Sequence, residues 1–130
     1  MAKGDLGKPY QDGEILCREG DSGEHMYIIQ KGTVEVVTSN GGPETVLATL
    51  NEGAIIGEMA VFEKEPRSAT VRAVGEVRAL TVDKKNLLRR VSEDPTMAFR
   101  LIQNLSERVR RLSVTVRDLT EELERQRSST

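Results

Sequence analysis

Residues 55–72 read IIGEMAVFEKEPRSATVR, and this stretch holds the densest set of groups in the chain that could bind an anion. Gly57 and Glu58 follow a short apolar run, and we expect them to open a single helical turn over residues 59–63. The first amides of such a turn have no partner within it and attract anions. Gly57 lacks a Cβ, so backbone can approach a ligand there, and Glu58 supplies a carboxylate that can accept a hydrogen bond from a hydroxyl.

The second half of the stretch adds groups suited to a phosphate. Pro66 ends the turn, and it is followed by Arg67 and Ser68. A guanidinium presents a planar fork of donors that fits two phosphate oxygens, and a hydroxyl can bond a third group. Together with the carboxylate, these groups match what a ribose joined to a phosphate requires. The alternative is that Glu58 and Arg67 merely pair with each other at a turn.

Two short motifs in this stretch carry a family resemblance. Gly57-Glu58-Met59-Ala60 and, farther on, Pro66-Arg67-Ser68-Ala69-Thr70 are similar to the phosphate-binding cassette of cyclic nucleotide-binding domains. The resemblance implies that Glu58 holds the ribose 2′-hydroxyl and that Arg67 pairs with the cyclic phosphate. It further implies that Ser68 and the amides of the helical turn complete the site.

The composition limits the classes of function. The 130 residues fit one domain, and the net charge of −2, from 19 basic and 21 acidic residues, gives no global basic field for DNA. We find no stretch of signal-peptide or membrane-spanning character, so we expect a cytoplasmic protein. We expect Cys17, the single cysteine, to be a packed side chain.

The single histidine, His25, argues against an enzyme. Jelly-roll enzymes that hold a metal with several histidines, and metal phosphodiesterases, need more ligands than this chain supplies. We therefore predict binding without hydrolysis, with no catalytic residue, no metal and no cofactor. We assign His25 itself no role.

From Gly13 to Val82 the chain shows an all-β pattern. Short apolar segments alternate with turn residues, among them Lys31-Gly32 and Gly75-Glu76, and each strand has one buried face. This favours a sandwich or jelly roll, and the resemblance implies an antiparallel jelly-roll (double-stranded β-helix) barrel. We predict a mainly β protein with a flexible segment at 1–12, the barrel at 13–92, a long helix at 93–127 and a tail at 128–130.

The C-terminal third is predicted to be helical. Asp83 can cap a short helix, and Asp94-Pro95 is a start signal for a long one. The apolar residues of the long helix recur at spacings of three and four, which is a heptad pattern. With Ile102 at an a position, the first a sites hold Ile and Val and the d sites hold Leu, which favours a parallel two-stranded coiled coil. The alternative is that the stripe packs on its own barrel near residues 97–105. The residues that we predict to form a homodimer are Ile102, Leu105, Val109, Leu112, Val116, Leu119 and Leu123.

Residues 110–115, RRLSVT, resemble the part of the long helix that reaches the purine in bacterial regulators of the catabolite activator type. The resemblance implies that Thr115 contacts the base. Val116 stands where the best-known adenine binder has a hydroxyl residue, so the purine stays open, with cyclic AMP placed ahead of cyclic GMP. The predicted ligand-binding residues are Gly57, Glu58, Met59, Ala60, Arg67, Ser68, Ala69 and Thr115.

Two rival interpretations remain at this point. One is a coiled-coil interaction protein whose pocket is unused or holds another anion. The other is the sensory piece of a larger transcription regulator. We expect no direct DNA binding, because the chain is net negative and shows no recognition helix after the heptads.

Overall fold

The computed structural model describes residues 7–39 and 41–129. Strands and helices alternate along the chain in the order β1 (Lys8–Tyr10), β2 (Ile15–Cys17), β3 (His25–Thr38), β4 (Thr45–Leu50), β5 (Ile55–Ile56), α1 (Glu58–Phe62), β6 (Thr70–Asp83), α2 (Lys84–Glu93) and α3 (Pro95–Ser128).

The strands form one six-stranded antiparallel sheet built on the pair of long strands β3 and β6. Their register runs from His25 opposite Asp83 to Val37 opposite Thr70. β1 and β2 add to β6, and β4 and β5 add to β3. An antiparallel sheet with helices is confirmed, whereas the pairing among the described residues leaves the sheet open and does not close it into a barrel.

The helices make up more of the chain than a mainly β protein would have. The sheet is confined to residues 8–83, and residues 84–128 are helical apart from Asp94. α2 begins after Asp83, whose side chain accepts from the amide of Asn86, and α3 begins after Asp94, whose side chain accepts from the amide of Thr96. Both caps lie where the sequence pattern indicates.

The prediction of a flexible segment at 1–12 is wrong for residues 8–10, while residues 1–6 lie outside the described part of the chain. Lys8–Tyr10 pairs with β6, with Pro9 opposite Arg78. The buried ring of Tyr10 anchors this strand in the core. A strand of three residues is too short to show alternation, so the sequence pattern carried no sign of it.

The predicted turns at Lys31-Gly32 and Gly75-Glu76 are also wrong, because both pairs lie inside continuous strands. The register between β3 and β6 shifts on either side of Lys31, which marks an irregularity of the bulge type. Gly32 has a φ of 96° and Gly75 a φ of 73°. Glycines at positive φ build bulges as well as hairpin turns, so their presence did not distinguish the two.

Neighbouring residues of β3 feed two separate hydrophobic clusters. Tyr27 and Ile29 belong to the first, which lies among β1, β2, β3, β5 and β6. Met26 belongs to the second, which joins the sheet to all three helices. This follows from the alternation of side chains along a strand. The buried members of the second cluster are Met26, Ile55, Val61, Leu80, Val82, Leu87 and Leu101.

The first third of α3 packs on the domain, and the rest extends away from its core. Leu101 is buried, and Met97 and Leu105 pack partly against the second cluster. Leu105, predicted to pair across a dimer, thus contacts its own domain here. The other predicted seam residues are between 58% and 65% exposed: Ile102, Val109, Leu112, Val116, Leu119 and Leu123.

The bulge in β3 generates a stability prediction. A Cβ on Gly32 would overlap the carbonyl oxygen of Glu76, whereas a Cβ on Gly75 meets nothing within 4 Å. Gly75→Ala should cost about 1–2 kcal/mol from backbone conformation alone. Gly32→Ala should cost about 2–4 kcal/mol, since overpacking adds to that strain. Urea unfolding of the two variants measures the difference, and equal losses would contradict the close approach.

Candidate functional site

A cavity of about 780 Å³ lies between the sheet, α1 and α3. Its walls are residues 54–60, residues 65–69, one face of α3, and parts of β2, β3, β4 and β6. Every ligand-binding residue that the sequence predicts lines this cavity, including Thr115, which is far along the chain from the others. The α3 residues that line it are Asn104, Arg108, Arg111, Leu112 and Thr115.

The Arg67 side chain is buried and held by backbone carbonyls. Its Nη2 donates to the His25 carbonyl oxygen at 2.7 Å, and its Nη1 donates to the Gly57 carbonyl oxygen at 3.4 Å. Its own backbone is fixed as well, since its amide donates to the Asp21 carbonyl oxygen at 2.9 Å. The guanidinium carbon lies 5.6 Å from the centroid of the Tyr27 ring, within the range of a cation–π contact.

No carboxylate within residues 7–39 and 41–129 forms an ion pair with Arg67. Carbonyl oxygens carry only partial charge, so the guanidinium remains a buried cation without a counter-ion. Burying an unpaired charge is costly, and an anion brought to it therefore gains a strong interaction. The alternative that Arg67 and Glu58 pair with each other is not what the structure shows.

Two glycines make room for the guanidinium. Gly57 precedes α1 with a φ of 80°, and a Cβ there would overlap Nη1 of Arg67. A Cβ on Gly23 would lie 2.6 Å from Nη2. The sequence suggested a close approach of a ligand to Gly57, and in the structure the close neighbour is the Arg67 guanidinium.

Glu58 is 1% exposed and is paired with a residue that sequence reasoning missed. Its Oε1 accepts from Nη1 of Arg108 on α3, and its Oε2 has no hydrogen-bond partner. With Ile102 at an a position, Arg108 falls at a g position, where charged residues are common in any coiled coil, so the heptad pattern gave no sign of this contact. Its side chain is 37% exposed.

The remaining predicted site residues differ in what they offer. Ser68, Met59 and Thr115 are exposed along the cavity, so their side chains are open to a ligand. Ala60 is buried, and its amide donates to the Gly57 carbonyl oxygen at 3.1 Å. That amide is therefore already engaged within the turn. Ala69 is buried and supplies apolar wall.

A family model described as the cyclic nucleotide-binding domain matches residues 8–94. The chain belongs to this family. The matched span includes the whole sheet, α1 and α2, and it excludes α3. Membership confirms the resemblance on which the cassette prediction rested.

Known members of the family resemble the chain over different lengths. The cAMP-dependent protein kinase regulatory subunit of Blastocladiella emersonii is 38% identical over 81 residues, which are 62% of this chain and 20% of that protein. The Thermus thermophilus catabolite activator protein superposes with a TM-score of 0.77 at 28% identity, over 87% of this chain and 54% of that one. The chain thus spans between a fifth and about half of these relatives.

A third relative has been solved with two different ligands. The EAL enzyme Bd1971 in its cAMP-bound form matches at 38% identity with a TM-score of 0.60, over 79% of this chain and 28% of that one. Its cGMP-bound form matches with a TM-score of 0.59. The similarity to this enzyme therefore does not favour one purine over the other.

Other kinds of site find no support in the described residues. Within 7–39 and 41–129, no group of three or more His, Cys, Asp or Glu residues could hold a metal ion. None of the helices in this part of the chain combines the length and apolar character needed to cross a membrane.

Behind Arg67, a buried polar network involves His25, to which the sequence assigned no role. The Tyr27 hydroxyl donates to the Leu16 carbonyl oxygen at 2.7 Å, and His25 Nε2 lies 3.1 Å from the same hydroxyl oxygen. Because the hydroxyl proton is already used, Nε2–H must donate to Tyr27. Burial raises the pKa of Tyr27 to about 12 and raises the pKa of Cys17, which lines the cavity nearby.

The pKa of His25 depends on the charge of Arg67. Burial first, and then the Arg67 charge, lower the pKa of His25 below its ordinary 6.5, and Asp83 partly opposes them. As the pH falls below about 6.5, His25 is protonated in the unfolded chain before it is protonated in the folded chain. This difference lowers the free energy of unfolding as the pH decreases from about 6.5 to the pKa of His25 in the folded state.

We expect Arg67→Gln to raise the pKa of His25, since it removes one of the two causes of the depression. The value should stay below the ordinary one because the burial remains. His25 is the single histidine, so its imidazole NMR signals can be titrated without assignment ambiguity. Arg72→Gln is the control, because Arg72 lies on β6 and is paired with Glu35 and Glu44. This substitution should leave the pKa of His25 unchanged. An unshifted His25 in Arg67→Gln would contradict the coupling.

Proposed function

We propose that this chain is a sensor that binds a 3′,5′-cyclic purine nucleotide and transmits its presence through α3. The single observation that supports this most is Arg67, a buried cation without a carboxylate partner at the wall of a large cavity, in a chain of the cyclic nucleotide-binding family. A cyclic phosphate would supply the missing negative charge. The bond between a guanidinium and a phosphate is charge-assisted and geometrically specific.

Each of the predicted site residues contacts a different part of the ligand. Arg67 binds the phosphate with the help of Ser68 and the backbone from Gly57 to Met59, and Ala60 lines the cavity beside them. Glu58 accepts from the ribose 2′-hydroxyl, since its Oε2 is buried and has no partner. Met59 and Ala69 contribute apolar contacts along the cavity. Thr115 on α3 contacts the base.

For the purine, we propose cyclic AMP ahead of cyclic GMP. Adenine and guanine share the ribose and phosphate, so Arg67 and Glu58 serve either ligand equally. The kinase regulatory subunit that resembles the chain is named for its dependence on cAMP. A threonine hydroxyl can accept from the adenine amino group or donate to the guanine carbonyl, so Thr115 is compatible with both.

We propose regulation and not catalysis, because nothing in the cavity forms a nucleophile and base pair or a metal site among the described residues. The sensor acts as a homodimer whose α3 helices form a parallel coiled coil from Val109 onward. The seam residues there are exposed in a single chain, and exposed apolar stripes of this length are stabilised by a partner. The finer fold that we propose is the jelly-roll arrangement, with the sheet curling around the first hydrophobic cluster.

A second candidate function is an interaction protein that uses the seam and leaves the cavity empty. The exposed heptads favour it equally, so nucleotide titration is the measurement that separates it from the sensor. In either case a sensory piece of a larger regulator is the further alternative, since the chain spans only a fifth to about half of these relatives.

Calorimetric titration with cyclic AMP and cyclic GMP tests the sensor directly. Arg67→Ala should weaken binding by about 2–5 kcal/mol, because the phosphate loses its charged partner. Arg67 also packs on Tyr27, so urea unfolding must show that the variant is folded. Arg72→Ala removes the same charge at a position outside the cavity and should bind as the wild type does. Equal affinity in wild type and Arg67→Ala would overturn the assignment.

The dimer is tested by placing charges in the seam. Leu112→Asp with Leu119→Asp would bury carboxylates between the helices and should give monomers in sedimentation, while the domain stays folded because both leucines are exposed in one chain. Leu88→Asp is the matched control, since Leu88 is 62% exposed on α2, outside the seam. A dimer that survives the double substitution would show that the helices do not pair this way.

We propose that these residues do not read duplex DNA themselves. The net charge of −2 predicts at most weak binding that salt abolishes. A mobility shift with sequence preference at physiological salt would contradict this.

A further inference from the structure

His25 lies beside Arg67 without lining the cavity. Its carbonyl oxygen accepts from Nη2 of Arg67 at 2.7 Å. Its imidazole ring meets the Tyr27 ring edge-on, with the two centroids 5.2 Å apart, and the Arg67 guanidinium carbon lies 5.6 Å from the centroid of the same Tyr27 ring. His25 and Tyr27 share a face of β3, because they are two residues apart on one strand. A titratable ring and the buried cation of the site therefore contact the same aromatic side chain.

The hydrogen bonds of the His25 ring allow it to gain a proton without rearrangement. The Tyr27 hydroxyl donates to the Leu16 carbonyl oxygen, so Nε2–H of His25 donates to Tyr27. The neutral ring then carries its lone pair on Nδ1. A proton added at Nδ1 leaves the bond to Tyr27 intact. The pKa of His25 is therefore lowered by burial and by the charge of Arg67, and not by the loss of a hydrogen bond.

Two charged side chains act on His25, and only one of them faces the ligand. Arg67 lines the cavity and lowers the pKa of His25, whereas Asp83 raises it. Asp83 lies opposite His25 on β6, caps α2 and does not line the cavity. Burial raises the pKa of Tyr27 to about 12 and also raises the pKa of Cys17, so both side chains are neutral in mildly acidic solution. A ligand in the cavity therefore acts on His25 through Arg67.

Among the described residues, the other elements packed near His25 add no third charge that shifts its pKa. The strand β5 is apolar, and the only titratable side chain of α1 is Glu58, which is engaged by Arg108. The loop before β3 carries Asp21 and Glu24, and both are exposed to water, which weakens their fields.

We propose that nucleotide binding at Arg67 is linked to the protonation of His25, so that the chain binds a cyclic nucleotide more tightly in mildly acidic solution than in neutral or alkaline solution. This inference rests on the proposed function, because the phosphate is the group that changes the charge around Arg67. The carbonyl oxygens of His25 and Gly57 occupy only part of the guanidinium donors, so Arg67 can keep its contact with His25 while it binds the phosphate. The phosphate then offsets the positive charge that opposes a proton on His25.

The linkage between the two events has a definite sign. Without ligand, burial and the Arg67 charge hold the pKa of His25 below its ordinary 6.5. With the phosphate bound, the contribution of Arg67 is reduced, so the complex keeps the proton to a higher pH. The affinity is lowest where His25 is neutral in both states, and it rises as the pH falls through the two pKa values. By reciprocity, binding at a pH between these two values takes up protons from the solvent.

The alternative source of such a pH dependence is the charge of the whole chain. Acidification makes any protein more positive and favours an anion, so a gain in the wild type alone does not identify His25. His25→Gln is the matched variant, because glutamine does not titrate. The backbone carbonyl that holds Arg67 remains in this variant, and the glutamine amide still offers an N–H donor to Tyr27.

The first experiment is calorimetric titration of both proteins with cyclic AMP at constant ionic strength. Between about pH 8 and about pH 5, the affinity of the wild type should rise about threefold to tenfold more than that of His25→Gln, since each pKa unit by which the ligand shifts His25 contributes a factor of about ten. Titrations at about pH 6, in buffers of different ionisation enthalpy, count the protons taken up. The wild type should take up more protons than the variant does.

The second experiment measures the pKa of His25 directly by NMR, in isotope-labelled wild type with and without saturating cyclic AMP. His25 is the single histidine, so its imidazole signals need no further assignment. The pKa should be higher in the complex than in the free protein. This measurement needs no substitution, so it decides the matter even if His25→Gln does not fold.

The outcomes separate this inference from the proposed function. A wild type that binds no cyclic nucleotide at any pH overturns the proposed function, and the linkage with it. A wild type that binds with the same pH dependence as His25→Gln overturns the linkage alone. A pKa of His25 that stays the same or falls in the complex also overturns the linkage alone.

Discussion

The architecture of the site depends on keeping one guanidinium out of water without giving it a carboxylate. Arg67 is fixed by the carbonyl oxygens of His25 and Gly57 and lies over the ring of Tyr27. Those contacts require β3, the loop before α1 and the loop before β6 to meet at one point. The sheet supplies that meeting point, because β3 pairs with both β5 and β6. Much of the fold can thus be understood as the support for this buried charge.

The helix α3 has two parts with different surroundings. Its first turns are tied to the domain through Leu101 and the half-buried Leu105, whereas the seam from Val109 onward is exposed. The cavity wall falls at the boundary, between Asn104 and Thr115. A ligand there contacts the segment where the helix leaves its own core. Such a position is well suited to couple occupancy of the cavity to the position of the exposed part of α3. A small change in the direction of the helix axis there becomes a larger displacement along the roughly 30 Å of helix that follows.

The sequence allowed the family and the starts of α2 and α3 to be predicted, and the residues assigned to the cassette do line one cavity, because each of these features depends on local chemistry such as capping or turn residues. It did not reveal the Arg108 contact, since a heptad pattern describes one helix and not what stands opposite its flank. The role of the His25 carbonyl could not be predicted either, because a backbone acceptor carries no sequence signal. The strand at Lys8–Tyr10 and the bulge at Gly32 were missed for a related reason: both are set by the partner strand β6.

Because Met26 and Tyr27 lie on opposite faces of β3, this strand separates the two hydrophobic clusters. Tyr27 faces the cluster that supports Arg67, and Met26 faces the cluster that holds the helices. Inserting or deleting a single residue here would turn each of these side chains to the opposite face of the sheet. A change in the length of β3 would therefore disrupt both clusters at once. The cavity and the docking of the helices both depend on the backbone of β3. Either one can therefore be changed only by substituting side chains.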